Sequence, residues 1–423
     1  MRNALAPVAT LLVGVSILLA GLGLQGTLLP VRASLEAFST FSIGVIGAAY
    51  FLGFTAGCLK GGELVKSVGH VRVFLAMTAL GSAAPLVHGL LLDPVAWVLL
   101  RFLTGFCFAV LFVVIESWLN ERSSNEDRGI VFSTYVMITL TVMAGGQMMT
   151  LMYDPNGLEL FLIASVLVSI GAVPVALSKS QTPEQPHEVD VNLKRLFRIS
   201  PAGSFACLAI GLANGAFWSL APVFTAGVSS DPSLAAWFMS STVVGGAAAQ
   251  WPLGFLSDRF GRRKTLLLSA SAGVAVATLI LLSADNVDFV GINLLGAAWG
   301  FFAFPMYAIA VAHANDYAEA DDYVMVSSGL LLLFGAGAII GPFLASAVMS
   351  FSGATGLYLM TLVVHAALAT YVLLRIFSRS SAPTEHHIAF GDALATAHTA
   401  SQVYEEEIQY QEELEEHEEQ EAQ

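Results

Sequence analysis

One base stands alone in an apolar run. Residues 95–118 read VAWVLLRFLTGFCFAVLFVVIESW, and Arg101 and Glu116 are the charges in it. A cation among apolar side chains is costly, so such a residue usually serves a purpose. Arg101 can bind an anionic group of a solute, or pin neighbouring backbone carbonyls. Glu116, near the other end of the run, can pair with Arg128, reach out to water, or carry a proton. Neutral polar groups in the runs expected to line a cavity are Gln25, Thr27, Gln147, Asn214, Trp218, Ser219 and Gln250. Tyr50, Trp299, Tyr307 and His313 add aromatic or titratable surface. Each alone fits packing or a bond between helices. Together they describe a modestly polar, aromatic cavity suited to a small organic solute with few charges.

Other chemistries lack their residues. Cys58, Cys107 and Cys207 have neither disulfide nor metal spacing. No phosphate-cradling glycine loop, nucleophile triad or metal cluster stands out. The expectation is a protein that is not an enzyme, uses no cofactor or metal and binds no nucleic acid.

The elements that must position these groups are membrane helices. Of 423 residues, 56% are hydrophobic and 12% charged, with mean hydropathy +0.72. A soluble chain carries about a quarter charged residues. In hydrocarbon only an internally bonded helix of ~20 apolar residues satisfies its backbone. Cutting at charges, prolines and polar clusters gives twelve runs, roughly 7–30, 41–61, 71–92, 95–118, 129–152, 158–178, 203–226, 233–256, 264–284, 287–312, 324–349 and 353–377. The first lacks a small-residue cleavage site and is read as an uncleaved span. With the N-terminus inside, every Lys and Arg except Arg32 and Arg101 falls in the cytoplasm. Both termini are then cytoplasmic.

The chain also repeats. GELVKSVGHVRVFL at 62–75 and GFLSDRFGRRKTLL at 254–267 lie 192 residues apart. At that offset Gly23 falls on Gly215, Pro30 on Pro222, Gly53 on Gly245, Gly62 on Gly254 and Gly69 on Gly261. Six spans per copy leave both copies facing the same way, a duplication found in secondary transporters. The expected organisation is an all-α polytopic membrane protein. It has an N-terminal six-helix bundle over 1–178, a cytoplasmic linker over 179–202 and a C-terminal six-helix bundle over 203–377. An acidic cytoplasmic tail follows over 378–423, with ten Glu and no Lys or Arg in 404–423.

GFLSDRFGRRK resembles the signature loop of the major facilitator superfamily. Arg101, Gly105 and Ala109 resemble that family's pattern in span 4. ESWLNERSSNEDRG at 116–129 and GGAAAQWPLGFLSDRFGR at 245–262 are similar to the YcaD-like branch of bacterial permeases. The resemblance covers about 1–377. It implies the MFS fold of twelve helices in two pseudo-symmetric bundles, a monomer in the inner membrane, and a cavity lined by spans 1, 4, 7 and 10.

The resemblance also implies a latch at the cytoplasmic face. Gly62, Gly69, Gly254 and Gly261 permit the turn, Asp258 caps a helix of the other half near Arg128, and Arg72, Arg259, Arg262 and Arg263 hold the loop to the membrane. The first copy departs from the pattern, with Lys66 where the second has Asp258. The loop HANDYAEADDYV at 313–324 is acidic, so an inverted latch of Lys66 with Asp321 or Asp322 is expected in the outward-open state. Gly53-x-x-x-Gly57, Gly145–Gly146, Gly245–Gly246 and Gly337-x-x-x-Gly341 are expected at the sliding contact between halves, and Pro305 and Pro342 at kinks.

The function these readings imply is secondary active transport of a small organic solute by alternating access, in a rocker-switch motion, with a coupling proton left open. Uptake and efflux both remain, although span 5 has AGGQ and lacks the proline of exporters. A membrane-embedded sensor or scaffold acting through the acidic tail is the reading from another class. Deleting residues 384–423 separates the two. Transport by the truncated chain at an undiminished rate is expected of the transporter, and loss of the phenotype is expected of the sensor.

Overall fold

The computed structural model describes residues 5, 8–123, 128–177, 192–284, 286–318 and 322–378, the side chains of Arg128 and Val324 excepted. The acidic tail lies outside them. The described residues form helices and no strand. Six helices make the first half: α1 (Ala9–Leu35), α2 (Thr40–Val68), α3 (His70–Leu90), α4 (Pro94–Glu121), α5 (Arg128–Met148) and α6 (Glu159–Leu177). A short linker helix, Leu193–Ile199, leads to the second half. That half holds α7 (Pro201–Val228), α8 (Ser233–Phe260), α9 (Arg262–Ser283), α10 (Phe289–Ala303 and Met306–Asn315), α11 (Tyr323–Ser352) and α12 (Gly356–Ser378). The end of the bundle that carries the linker helix is called the linker face below, and the other the far face.

Eleven of these spans are long and apolar enough to cross a membrane by length and composition. The exception is α8, whose Ser240, Ser241, Thr242, Gly245, Gly246 and Gln250 dilute its hydropathy. It still forms a helix of 28 residues, about 42 Å long. Several helices overrun their apolar runs. The α2 helix continues to Val68 and α4 to Glu121, because the backbone ladder propagates until something stops it. The stops at the linker face are Gly69 at φ 94° and Gly261 at φ 97°, angles at which a side chain is strained. Ser39, Asp93, Ser200 and Asp288 cap the starts of α2, α4, α7 and α10 by accepting a backbone N–H. Pro305 breaks α10 in two as expected, whereas Pro342 lies inside an unbroken α11.

The glycine motifs act elsewhere than expected. A methyl on Gly53 would collide with the Phe102 carbonyl of α4, and one on Gly105 with the Tyr50 carbonyl of α2. Gly245 stands in the same relation to Ala297 of α10, Gly23 to Met143 of α5, Gly146 to Ala20 of α1, and Gly337 and Gly341 to Leu208 and Leu212 of α7. These crossings lie inside one half or the other, so the glycines hold each half together. The halves do meet through α2 with α11 and α5 with α8, but by other residues. Gly44 packs on Pro342 and Ser346, Gly335 on Thr55, and Gly47 of α2 on Ser219 of α7. Ser240 of α8 donates to the Ala144 carbonyl of α5 at 3.0 Å.

All these contacts between halves lie toward the far face or at mid-depth. The apolar core says the same. One cluster runs the length of the second half and crosses into the first near the far face, joining Leu28, Ile43 and Trp97 to Phe217, Leu220 and Phe224. A second, around Val65, Phe74 and Trp118, stays within the first half near the linker face. The described apolar core is shared between the halves near the far face and not at the linker face.

Gly105→Val should separate α2 from α4 and cost about 1–3 kcal/mol of stability, read as a lower thermal midpoint in detergent. Gly145→Ala, at a position where a methyl meets open space, should leave the midpoint in place.

Candidate functional site

Arg101 sits about two turns into α4. Its guanidinium carbon lies 4.3 Å from the centroid of the Tyr50 ring on α2, within cation–π range. With Leu29 and Pro30 of α1, Ile46 and Gly47 of α2, and Trp218 and Ser219 of α7, it lines a narrow cleft between the halves of about 20 Å³. Among the described residues Arg101 makes no ion pair, and its Nη1 is buried without a hydrogen-bond partner. The Ser219 hydroxyl is buried and unpartnered too.

Deeper in each half the expected neutral groups are buried, with atoms left unbonded. Gln25 and Gln147 are fully buried and neither end of either amide has a partner. Thr27 Oγ1, Asn214 Oδ1 and Gln250 Oε1 are also unpaired. Buried polar groups of this kind are normally bonded to protein or water, so these call for water or a solute. Gly26, one residue from Gln25, faces open space. Tyr307 is half-buried, packs on Phe334 at 4.8 Å and lies within electrostatic range of Cys58 in the other half. Trp299 is not on a cavity wall in this state. It is enclosed in the second half, stacked on Phe217 at 4.9 Å. Trp218 is half-buried and stacks on Phe304 at 5.6 Å.

The linker face holds the residues expected to form the latch, and the two copies differ there. In the second half Arg262, 6% exposed, ties α9 to α8 and to the end of α10. It donates to Asp258, to Ser257 Oγ at 3.1 Å and to Asp316 Oδ2 at 3.4 Å. Arg263 donates to the Tyr317 hydroxyl at 2.5 Å and the Arg375 carbonyl at 3.0 Å. Arg259 lies near the rings of Phe255 and Phe260. Asp322 bonds Arg195 of the linker helix at 2.7 Å. Lys66 and Arg72 are exposed. Gly254 is buried and Gly62 half-buried. Asp321 and the Arg128 side chain lie outside the described residues, and so do the latch contacts expected of them.

Glu116 is buried at 3% exposure rather than reaching the interface. The Tyr135 hydroxyl donates to its Oε1 at 3.3 Å, and Oε2 has no partner among the described residues, which exclude the Arg128 side chain.

Sequence reasoning overlooked three buried histidines. His365 of α12 lies edge-on to Trp299 at 6.0 Å. His88 of α3 bonds the Ala84 carbonyl through Nδ1 at 2.8 Å. Both were legible as ionisable residues inside apolar runs. His70 takes the place of Arg262 at the repeat offset. It bonds Ser117 Oγ at 3.1 Å, where Arg262 meets a carboxylate.

A family model described as Major Facilitator Superfamily matches residues 11–229 and 203–404. The chain belongs to the major facilitator superfamily. It is 26% identical over 385 residues to the uncharacterized MFS-type transporter YcaD of Escherichia fergusonii, covering 90% of this chain and 98% of the relative. It is 24% identical over 385 residues to YcaD of Salmonella arizonae, with the same coverage. Among solved structures it resembles the nucleoside transporter NupG, with TM-score 0.77, 13% identity, and 89% and 100% of the two chains covered. It also resembles a bacterial homologue of the human lysosomal transporter Spinster in an inward-facing, occupied conformation, with TM-score 0.69, 14% identity, and 88% and 96% covered. These likenesses establish the fold. As a superfamily member with membrane-spanning helices and YcaD relatives, this is a multi-pass inner-membrane protein of the transport class.

The network around Arg262 makes a graded prediction. Asp316→Ala leaves the Arg262 cation buried with less to hold it, and should cost about 3–5 kcal/mol. Asp258→Ala removes a partner whose side chain is 43% exposed, and should cost about 1 kcal/mol or less. Equal losses in denaturant unfolding of the two variants would contradict this ranking.

Proposed function

We propose that this protein is a secondary active transporter that moves a small organic solute across the inner membrane by alternating access. The carrying observation is an apolar core that the halves share near the far face and not at the linker face, together with buried polar groups that lack partners among the described residues. A solute entering from the linker side would meet the half-buried Gln250 first, and the buried Gln25, Gln147 and Asn214 would become available to it as the halves move. Rocking about the α2–α11 and α5–α8 contacts would close the linker face and open the far one. The bases cluster on the linker face, which supports a cytoplasmic linker and cytoplasmic termini. In that orientation the state described is inward-open. Lys66 and Asp258 are then latch elements of the outward-open state, and Glu116, with one oxygen unbonded among the described residues, is the group that supports proton coupling. The likeness to named transporters supports the class of activity, and the choice of solute is this chain's own.

Spin labels test the motion. A pair at Lys66→Cys and Arg259→Cys spans the halves at the linker face, and a pair at Phe41→Cys and Phe343→Cys spans them at the far face, each in a background without the native cysteines. Alternating access predicts two distance populations per pair, shifting in opposite senses between the faces as pH or solute changes. One fixed distance at both faces under all conditions would sink the proposal.

A further inference from the structure

We infer that the transported solute carries a carboxylate, or a monoanionic group of like geometry, and that Arg101 and Ser219 receive it in the cleft between the halves. This rests on the transporter reading above and names its substrate class.

Arg101 lacks a counter-charge among the described residues. Arg101 keeps its cation in the membrane-embedded part of α4, and such a cation is normally paired or bonded to carbonyls. The groups facing it are Leu29 and Pro30 of α1, Ile46, Gly47 and Tyr50 of α2, and Trp218 and Ser219 of α7. His88 of α3 is within electrostatic range, and its Nδ1 is taken up by the Ala84 carbonyl. None of these is an acid. Glu116 is fifteen residues further along the same helix, about 22 Å away by helical rise. The Tyr50 ring offers a face to the guanidinium and no formal charge.

The cleft has the donors an anion needs. A guanidinium presents a planar fork that matches a carboxylate in two parallel bonds. Arg101 Nη1 is buried without an acceptor, and across the cleft the Ser219 hydroxyl is buried without a partner. One donor belongs to each half. An anion held between them bridges the two bodies where Gly47 packs against Ser219, so its binding depends on how the halves sit. The carboxamides of Gln25, Gln147, Asn214 and Gln250 can both donate and accept, and they suit the uncharged remainder of a solute. The described residues lining this cleft include no carboxylate that would receive a cation.

Matched pairs test it, with the full chain in nanodiscs and binding read by thermal shift and calorimetry. The probes are acetate against acetamide, benzoate against benzamide, and uridine as a neutral polar solute. We expect the carboxylate of each pair to raise the midpoint and to bind at least tenfold more tightly than its amide. Arg101→Gln should remove that preference, Arg101→Lys should keep part of it, and Ser219→Ala should weaken the carboxylate several-fold with little effect on the amide. Ser219→Ala sits on the other half, so it reports even if Arg101→Gln folds poorly. No difference between carboxylates and amides at up to ~100 mM overturns the inference. So does an Arg101-dependent shift by sodium chloride that carboxylates do not compete with, which would mark an inorganic-anion site. Binding of uridine or the amides undiminished in Arg101→Gln would also overturn the anionic class. It would leave transport standing, since transport fails only if the spin-labelled faces do not alternate.

Discussion

Everything in this architecture depends on backbones that touch. In hydrocarbon the hydrophobic effect does not pull helices together, so close packing must. Each half is built on crossings where a glycine on one helix lies against a carbonyl on another: Gly53 and Gly105 between α2 and α4, Gly23 and Gly146 between α1 and α5. The second half repeats the arrangement with Gly245 between α8 and α10 and Gly215 between α7 and α11. Such contacts leave little room to slide. They hold the helices of each half against one another over long stretches of backbone. The boundary between the halves is thinner, with Gly44, Gly47, Thr55 and Ser240 reaching across toward one face.

The repeat explains which parts were legible in the sequence. Gly23 and Gly215, and Gly53 and Gly245, are the pairs found at the fixed offset, and all four are crossing points. Gly69 and Gly261 share positive φ. Spans, halves and turns followed from hydropathy and from these coincidences. The partner of each glycine did not. A small residue at helical spacing shows that something comes close and is silent on whether that neighbour lies in the same half. The motifs were therefore expected at the sliding boundary, and they lie inside the halves.

The site was legible as a set of residue types and not as a place. Arg101, Gln25 and Gln147 stand out as polar residues in apolar runs, and all have buried, unbonded atoms. Trp299 and Trp218 look alike in sequence, yet one is core and the other faces the cleft, because a tryptophan's position is decided by helix rotation. Gating contacts were least legible. Arg262 meets Asp258 and Asp316 within one half, where the expected latch had Asp258 facing the other half. A charged residue's type and spacing do not say which of several oppositely charged neighbours it meets in the fold.

The central claim is that the cavity opens at the linker face alone, and that this face is cytoplasmic. Native Cys58 tests it directly. It is half-buried on α2, a turn from Thr55 toward the linker face, whereas Cys107 and Cys207 are fully buried. A membrane-impermeant maleimide should label Cys58 in inside-out vesicles and spare it in right-side-out ones, with the signal lost in Cys58→Ser. Labelling of Cys58 from the outside, or none from either side, would contradict the account.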